Sequence, residues 1–348
     1  MHSKKMRTGL ALMFLLAAAF YTAAQSGRMK PPDSAKPAIR TPESSHPAVR
    51  PKVVPTPPDS DDVIRVESTL VPIPVSVLDQ NGLAVTNLTM QDFELRIDGK
   101  PAEISDFSRS ESPIRLAMLF DNSSSVIAAR EFEKNAAIKF FKRVIRPDRD
   151  LAALFSVSTE TLLEQELTKN VNLLVRSIES FDQPTGATAL LDGIIIASDY
   201  LAQSEGRRVI IIVSDGDDTK SDSSFDAALR AAQQANCQIY VVKTTDFENF
   251  IRTKSRVANA NTRRLAAENR MQEFARQTGG SVYSPIDERE LETAFRQISA
   301  ELSQQYILSY YPEDDAEKRG EFRNISLAVP SRPNLSIRTR KGYYLPKR

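Results

Sequence analysis

The stretch Arg115-Leu-Ala-Met-Leu-Phe-Asp-Asn-Ser-Ser-Ser125 decides how this chain is read. Leu116 to Phe120 is an unbroken apolar run, the pattern of a strand buried on both faces of a parallel sheet. It stops at Asp121-Asn-Ser-Ser-Ser125, where one carboxylate and two hydroxyls recur at alternate positions as Asp-x-Ser-x-Ser. In an α/β sheet, the loop after such a strand is where ligands bind. Small, hard oxygen donors placed there point to a magnesium-type cation.

Helix and strand patterns alternate from this strand onward. Ile127, Phe132, Ala136, Phe140 and Val144 predict an amphipathic helix over 127–144. Leu151 to Val157 and Thr161 to Leu167 read as strands close enough to form an antiparallel hairpin at a sheet edge. A short helix over 171–180 and a turn at Gln183 to Ala187 precede a helix over 189–201. Val209-Ile-Ile-Ile-Val213 is the most strand-like run in the chain and ends in Ser214-Asp-Gly-Asp-Asp218. A helix over 225–235, a strand over 238–242, a helix over 262–277, a strand over 281–283 and a helix over 288–302 follow. This alternation predicts a doubly wound, Rossmann-like α/β domain with a mostly parallel sheet over residues 113–304. If its strand order is the common 3-2-1-4-5-6, the first and fourth strands are neighbours, and Asp121 and Asp215 share one crevice.

The bulk composition excludes several functions. Lys+Arg 46 against Asp+Glu 45 leaves a formal net charge of +1, so no global field argues for nucleic acid. The two histidines, His2 and His46, lie outside any foldable segment, which removes Ser-His-Asp and Cys-His catalysis and histidine-based zinc sites. Neither a Walker A sequence nor Gly-x-Gly-x-x-Gly occurs, which argues against a nucleotide site. Cys237 stands alone in an apolar run and reads as a buried, inert thiol.

The ends of the chain have other characters. Residues 1–24 open with Lys4, Lys5 and Arg7, continue in an apolar run from Leu10 and end in Thr22-Ala-Ala24, the pattern of a secretory signal peptide. The expectation is a secreted or periplasmic protein, free or surface-associated, with membrane association only if that segment is retained. Residues 25–62 are a proline-rich linker without apolar periodicity. Residues 63–112 and 305–348 are β-rich flanks, each short of the surface needed to fold alone. Together they are expected to pair into a small β-sandwich-like module beside the central domain.

Two further oxygen-bearing loops join the first. Thr185-Gly-Ala-Thr188 precedes a helix, and Asp215 follows the strand at 209–213. The hydroxyls of Ser123, Ser125 and Thr188 can ligate while neutral, and Asp121 and Asp215 supply negative charge. The plainer alternatives are serines forming local turns, or Asp121 and Ser125 capping the next helix. Asp217 and Asp218 read as solvated turn residues rather than outer partners of an ion. Residues 246–264 look like an insertion on the same sheet edge, carrying Arg252, Lys254, Arg256, Arg263 and Arg264. They read as a solvated loop leading into a helix, with a basic rim that steers an acidic ligand as the functional alternative.

Asp-Asn-Ser-Ser-Ser, Thr-Gly-Ala-Thr and Ser-Asp-Gly, in that order on an α/β chain, resemble the von Willebrand factor type A domain. The flanking Met90-Gln-Asp-Phe-Glu-Leu and the closing Arg-Lys-Gly-Tyr-Tyr are similar to exported type A-related proteins of acidobacteria. The resemblance implies a metal-ion-dependent adhesion site (MIDAS) at Asp121, Ser123, Ser125, Thr188 and Asp215. It would hold a divalent cation, Mg2+ before Mn2+ or Ca2+, and capture an exposed carboxylate of a protein ligand without turnover. A magnesium-dependent phosphoryl hydrolase is the competing reading. It lacks the usual second Asp, because position 123 is Ser. A scaffold that binds no functional metal is the third.

Overall fold

The computed structural model describes residues 70–109, 112–255, 262–312 and 320–345. The chain divides into two units, Met1–Val63 and Ile64–Arg348, and every described residue belongs to the second. The predicted signal segment, the proline-rich linker and Arg256 lie outside the described residues.

The N-terminal flank supplies β1 (Val71–Leu78), β2 (Glu94–Ile97), β3 (Lys100–Ala102) and β4 (Asp106–Arg109). A strand expected from Asp92 begins only at Glu94. Met90–Asp92 form a 3-10 turn, because Asp92 Oδ2 accepts hydrogen bonds from Thr89 N at 2.7 Å and Thr89 Oγ at 2.9 Å. Asp98 and Gly99 take φ of 49° and 79°, the two left-handed residues a tight β2–β3 hairpin requires.

The central domain runs β5 (Ile114–Asp121), α1 (Arg130–Val144), β6 (Leu151–Val157), β7 (Thr161–Thr168), α2 (Val171–Glu179), α3 (Leu190–Ala202), β8 (Arg207–Ser214), α4 (Phe225–Gln234), β9 (Cys237–Lys243), α5 (Thr245–Thr253), α6 (Thr262–Thr278), β10 (Val282–Tyr283) and α7 (Glu288–Gln304). Its sheet has the order β10-β9-β8-β5-β6-β7, which is 3-2-1-4-5-6 counted within the domain. All pairs are parallel except β6–β7, the edge hairpin. Side chains alternate between two helical layers. Leu116, Met118 and Phe120 of β5 pack with α1 and α7, while Ala117 and Leu119 pack with α3 and α4. With both faces covered, the central runs Leu116–Phe120 of β5 and Val209–Val213 of β8 are apolar at every position.

Two boundaries differ from expectation. Helix α1 starts at Arg130 rather than at 127, since Ser124–Val126 form a separate 3-10 turn. Residues 246–253 are not a solvated loop but part of α5, whose Phe247 stacks on Phe132 of α1.

The C-terminal flank adds β11 (Tyr306–Tyr310), β12 (Phe322–Ala328), β13 (Ser336–Thr339) and β14 (Gly342–Tyr344). Two four-stranded antiparallel sheets result, β13-β1-β11-β4 and β14-β12-β2-β3, and each mixes strands from both ends of the chain. Ile73, Val75, Leu95, Leu308, Ile325 and Tyr343 fill the space between them. This module is fastened to the central domain by polar contacts. Gln305, which also holds Ser76 of β1 at 2.9 Å, donates through Nε2 to the Tyr240 hydroxyl of β9 at 3.3 Å, and Arg338 pairs with Glu301 of α7 at 2.8 Å.

Candidate metal centre

Register sets the geometry of the site. Phe120 pairs with Val213 across β5 and β8, so Asp121 and Ser214 are the next residues on adjacent strands at the carboxyl end of the sheet. Asp121 is 1% exposed, and both its oxygens are engaged by the chain. Oδ1 accepts from Ser123 N at 3.0 Å and Oδ2 from Ser214 Oγ at 2.6 Å. The hydroxyls of Ser123 and Ser125 lie 2.9 Å apart, and the Ser125 hydroxyl also hydrogen-bonds Asp215. Asp215 is fixed by Asp217 N, which donates to its Oδ1 at 2.9 Å, and by Thr245 Oγ, which donates to its carbonyl at 3.0 Å. Four of the five candidate residues thus form one connected constellation.

Thr188 enters from the neighbouring loop. Ser124 N donates to Gly186 O at 3.2 Å and Thr185 N to Asn122 O at 3.0 Å, which join that loop to Asp-x-Ser-x-Ser. Gly186 takes a left-handed φ of 78°, and a side chain there would collide with Thr159. Thr188 is buried, and its backbone is held by Thr219 and Lys220. The helix-capping alternative for Asp121 and Ser125 is not what the structure forms: α1 has Ala129 at its N-cap and no side-chain cap. A local turn does exist, from Asp121 to Ser123 N.

The electrostatics are those of crowded carboxylates. Burial raises Asp121 to about 6, with Asp215 adding to the shift. Asp215 is raised too, first by burial, although Asp217 N and the Ser125 hydroxyl favour its charge. Two residues outside the sequence reading join them. Glu133 of α1 is fully buried and held well above the ordinary carboxyl range by burial and then by Asp121. Glu248 of α5 is raised to about 8 by burial and then by Asp215. Glu133 could have been noticed as a charged residue on the apolar face of α1. Glu248 was hidden by the assignment of 246–264 to a loop.

Asp217 and Asp218 are not merely solvated turn residues. Asp217 pairs with Arg263 at 2.6 Å. Asp218 Oδ1 accepts from Leu190 N at 2.8 Å and Ser221 Oγ at 2.6 Å, capping α3 from a distant loop. Arg252 and Arg264 both donate to Asn249 Oδ1, at 3.0 and 2.8 Å. With Arg263 they wall a cavity of 420 Å³ whose base includes Ser125, Asp215 and Glu248.

The donor set suits a hard divalent cation. Two repelling carboxylates, Asp121 buried and Asp215 half-buried, stand beside neutral hydroxyls, and a cation between them would relieve the cost of their charges. Among the described residues no cluster of three or more His, Cys, Asp or Glu side chains forms a metal site of its own. The case therefore rests on serine and threonine hydroxyls beside two aspartates.

Comparison with known proteins gives the following. The family model of the von Willebrand factor type A domain matches residues 116–297. No curated protein sequence matches the chain. Among solved structures, a conserved hypothetical protein, BatB, from Bacteroides thetaiotaomicron is 18% identical, with 54% of this chain and 98% of that chain covered and a TM-score of 0.43. The vWF domain of the type V pili tip protein Mfa5 from Porphyromonas gingivalis is 16% identical, with 54% and 94% covered and a TM-score of 0.43. The pilus adhesin SpaC from Lactobacillus rhamnosus GG is 9% identical, with 73% and 48% covered and a TM-score of 0.43.

Proposed function

Because this chain belongs to the von Willebrand factor type A domain family, we propose that it is an exported, non-enzymatic protein-binding module whose site holds a divalent cation. Asp121, Ser123, Ser125, Thr188 and Asp215 would hold the ion, with Mg2+ favoured by the all-oxygen set. When bound, the ion supplies a Lewis-acidic position for a carboxylate of a protein partner. The chain's own residues orient the donors. Ser214 and Ser123 N fix Asp121, and Asp217 N fixes Asp215. Arg252, Arg263 and Arg264 line the approach to Ser125 and Asp215 and favour an acidic ligand over a basic one. Among the described residues no helix is long and apolar enough to cross a membrane.

The observation that carries this reading is the pairing of Asp121 and Asp215. Burial and the neighbouring Asp215 raise the cost of ionisation at Asp121, beside two hydroxyls 2.9 Å apart. Thermal unfolding of wild type and Asp121→Ala, with Mg2+ or Mn2+ and with chelator, tests it. At a hundred times its dissociation constant the metal should stabilise wild type by about 2.7 kcal/mol, a rise of roughly 5–10 °C for a domain of this size. Asp121→Ala should lose that rise. A wild type indifferent to both metals would remove the site.

A further inference from the structure

At the opposite end of the molecule, where β1 and β11 of the sandwich meet the amino ends of β8 and β9, a second cavity of 340 Å³ opens. Three guanidiniums line it, those of Arg207, Arg208 and Arg340. Among its described lining residues none is Asp or Glu. The hydrogen bonds of Arg208 and Arg340 go to neutral groups. Arg207 donates to Leu302 O at 2.7 Å and to the Gln305 side chain. Arg208 donates to Ser204 O and Ala235 O. Arg340 donates to Pro72 O at 2.7 Å and to the Asn236 side chain, and its guanidinium lies 5.5 Å from the ring of Tyr343.

A buried cation without a counter-charge is costly, and burial pulls Arg340 down to about 10. Unsatisfied atoms remain as well. Arg340 is 7% exposed and its Nε has no acceptor, while Gln238, 5% exposed, has no donor for its Oε1. Buried polar atoms in a folded protein ordinarily find a partner. A guanidinium fork matches the geometry of a carboxylate or a phosphate. The volume falls in the range of small-molecule sites, with Pro74 and Ile307 offering an apolar wall.

We propose that this junction cavity binds a small organic oxyanion, its carboxylate or phosphate head set against Arg340 and Arg208 and its apolar body against Pro74 and Ile307. The unpartnered Gln238 Oε1 would accept from a hydroxyl on the ligand. Such a ligand would bridge strands of the sandwich and strands of the central domain. It requires no metal and stands apart from the adhesion-site reading.

The test is calorimetric and thermal-shift titration of the full chain in chelator, with inorganic phosphate, butyrate and 3-hydroxybutyrate at ionic strength matched by sodium chloride. Saturable binding by at least one of them is expected, and the stronger probe identifies the head group. Arg340→Gln should weaken it about tenfold or more, the scale of one charge-assisted hydrogen bond. Ser112 is exposed at the cavity mouth, so Ser112→Trp blocks entry without touching any arginine and should weaken binding as much. It keeps the test decisive if Arg340→Gln does not fold. No saturable response beyond sodium chloride, or undiminished binding in Ser112→Trp, would overturn the proposal.

Discussion

Ser214 Oγ donates a 2.6 Å hydrogen bond to Asp121 Oδ2, joining the ends of two neighbouring parallel strands inside the sheet. The same Ser214 Oγ accepts from Gly216 N at 3.0 Å, so one hydroxyl positions both the aspartate and the loop that carries Asp215. It also offsets part of the burial that raises Asp121. Ser214 thus acts on both carboxylates of the candidate site without belonging to the proposed ligand set.

Ser214→Ala is therefore expected to weaken Mn2+ binding. A hydrogen bond to a charged group is worth about 1.5–3 kcal/mol, or roughly ten- to a hundredfold in affinity. Calorimetric titration of Mn2+ into the variant and wild type measures this. Equal affinities would show that Asp121 holds its orientation without the serine.

Glu248 gives a pH-dependent prediction in the metal-free protein. Its folded pKa of about 8 lies far above the roughly 4.3 of a free glutamate, so ionising it costs folding free energy. The loss accumulates as pH rises from about 4.3 to about 8 and then levels off. Glu248→Gln removes that slope. In chelator, the melting temperatures of variant and wild type should coincide near pH 4 and separate progressively toward pH 8, the variant higher. The separation should be about 2–4 °C for each kcal/mol recovered. A constant offset across that range would refute the assignment.

Much of this architecture is legible in the chain because apolar period and strand length act locally. The run at 116–120 and the similar run at 209–213 could only be buried strands, and three residues between β6 and β7 force an antiparallel hairpin. The flanks' mutual need for a core follows from their size. What stayed hidden depends on register and distant partners. Ser214 meets Asp121 across 93 positions, and Asp218 caps a helix that begins 28 positions earlier. Helix α5 was obscured by its charges, although Phe247, Phe250 and Ile251 recur at helical spacing. Nothing local in the sequence marks Arg207, Arg208 and Arg340, which meet in the junction cavity only once the two modules are placed together.

Asp150 fixes the start of β5 and predicts acid sensitivity. It is fully buried, accepts from Ile114 N at 2.9 Å, and is gripped by Arg146 through Nε at 2.6 Å and Nη2 at 2.9 Å. Burial pushes its carboxyl up, but Arg146 and the two backbone N–H donors outweigh that and leave it below the ordinary value. The stability it contributes is present above the unfolded value of about 3.9 and is lost as pH falls through the lower folded value. Asp150→Asn should cost about 2–4 kcal/mol at pH 7, and less at pH 3, where wild type has begun to lose the same interaction. Urea unfolding at the two pH values measures it. A cost independent of pH would mean that the amide keeps the contacts and charge is irrelevant.

Tyr306 shows how the two ends of the chain depend on one another. It is 1% exposed in β11, its ring 5.5 Å from both Phe93 and Phe107. Its hydroxyl accepts from Leu88 N at 3.0 Å and donates to Val85 O at 3.0 Å. One C-terminal side chain therefore satisfies two backbone groups of the N-terminal flank and packs on two of its rings. Tyr306→Phe keeps the ring but leaves the Leu88 N–H and the Val85 carbonyl without this partner, at a cost of about 1–3 kcal/mol. Tyr306→Ala also opens a cavity and should cost about 3–5 kcal/mol. The effect should be local before it is global. Amide exchange in β1 and β2 should quicken in Tyr306→Ala while β5 and β8 remain protected, and a chain ending at Ser303 should show the same loss in full. N-terminal strands still fully protected in that truncated chain would mean that they fold without the C-terminal flank, against the mixed strand order of both sheets.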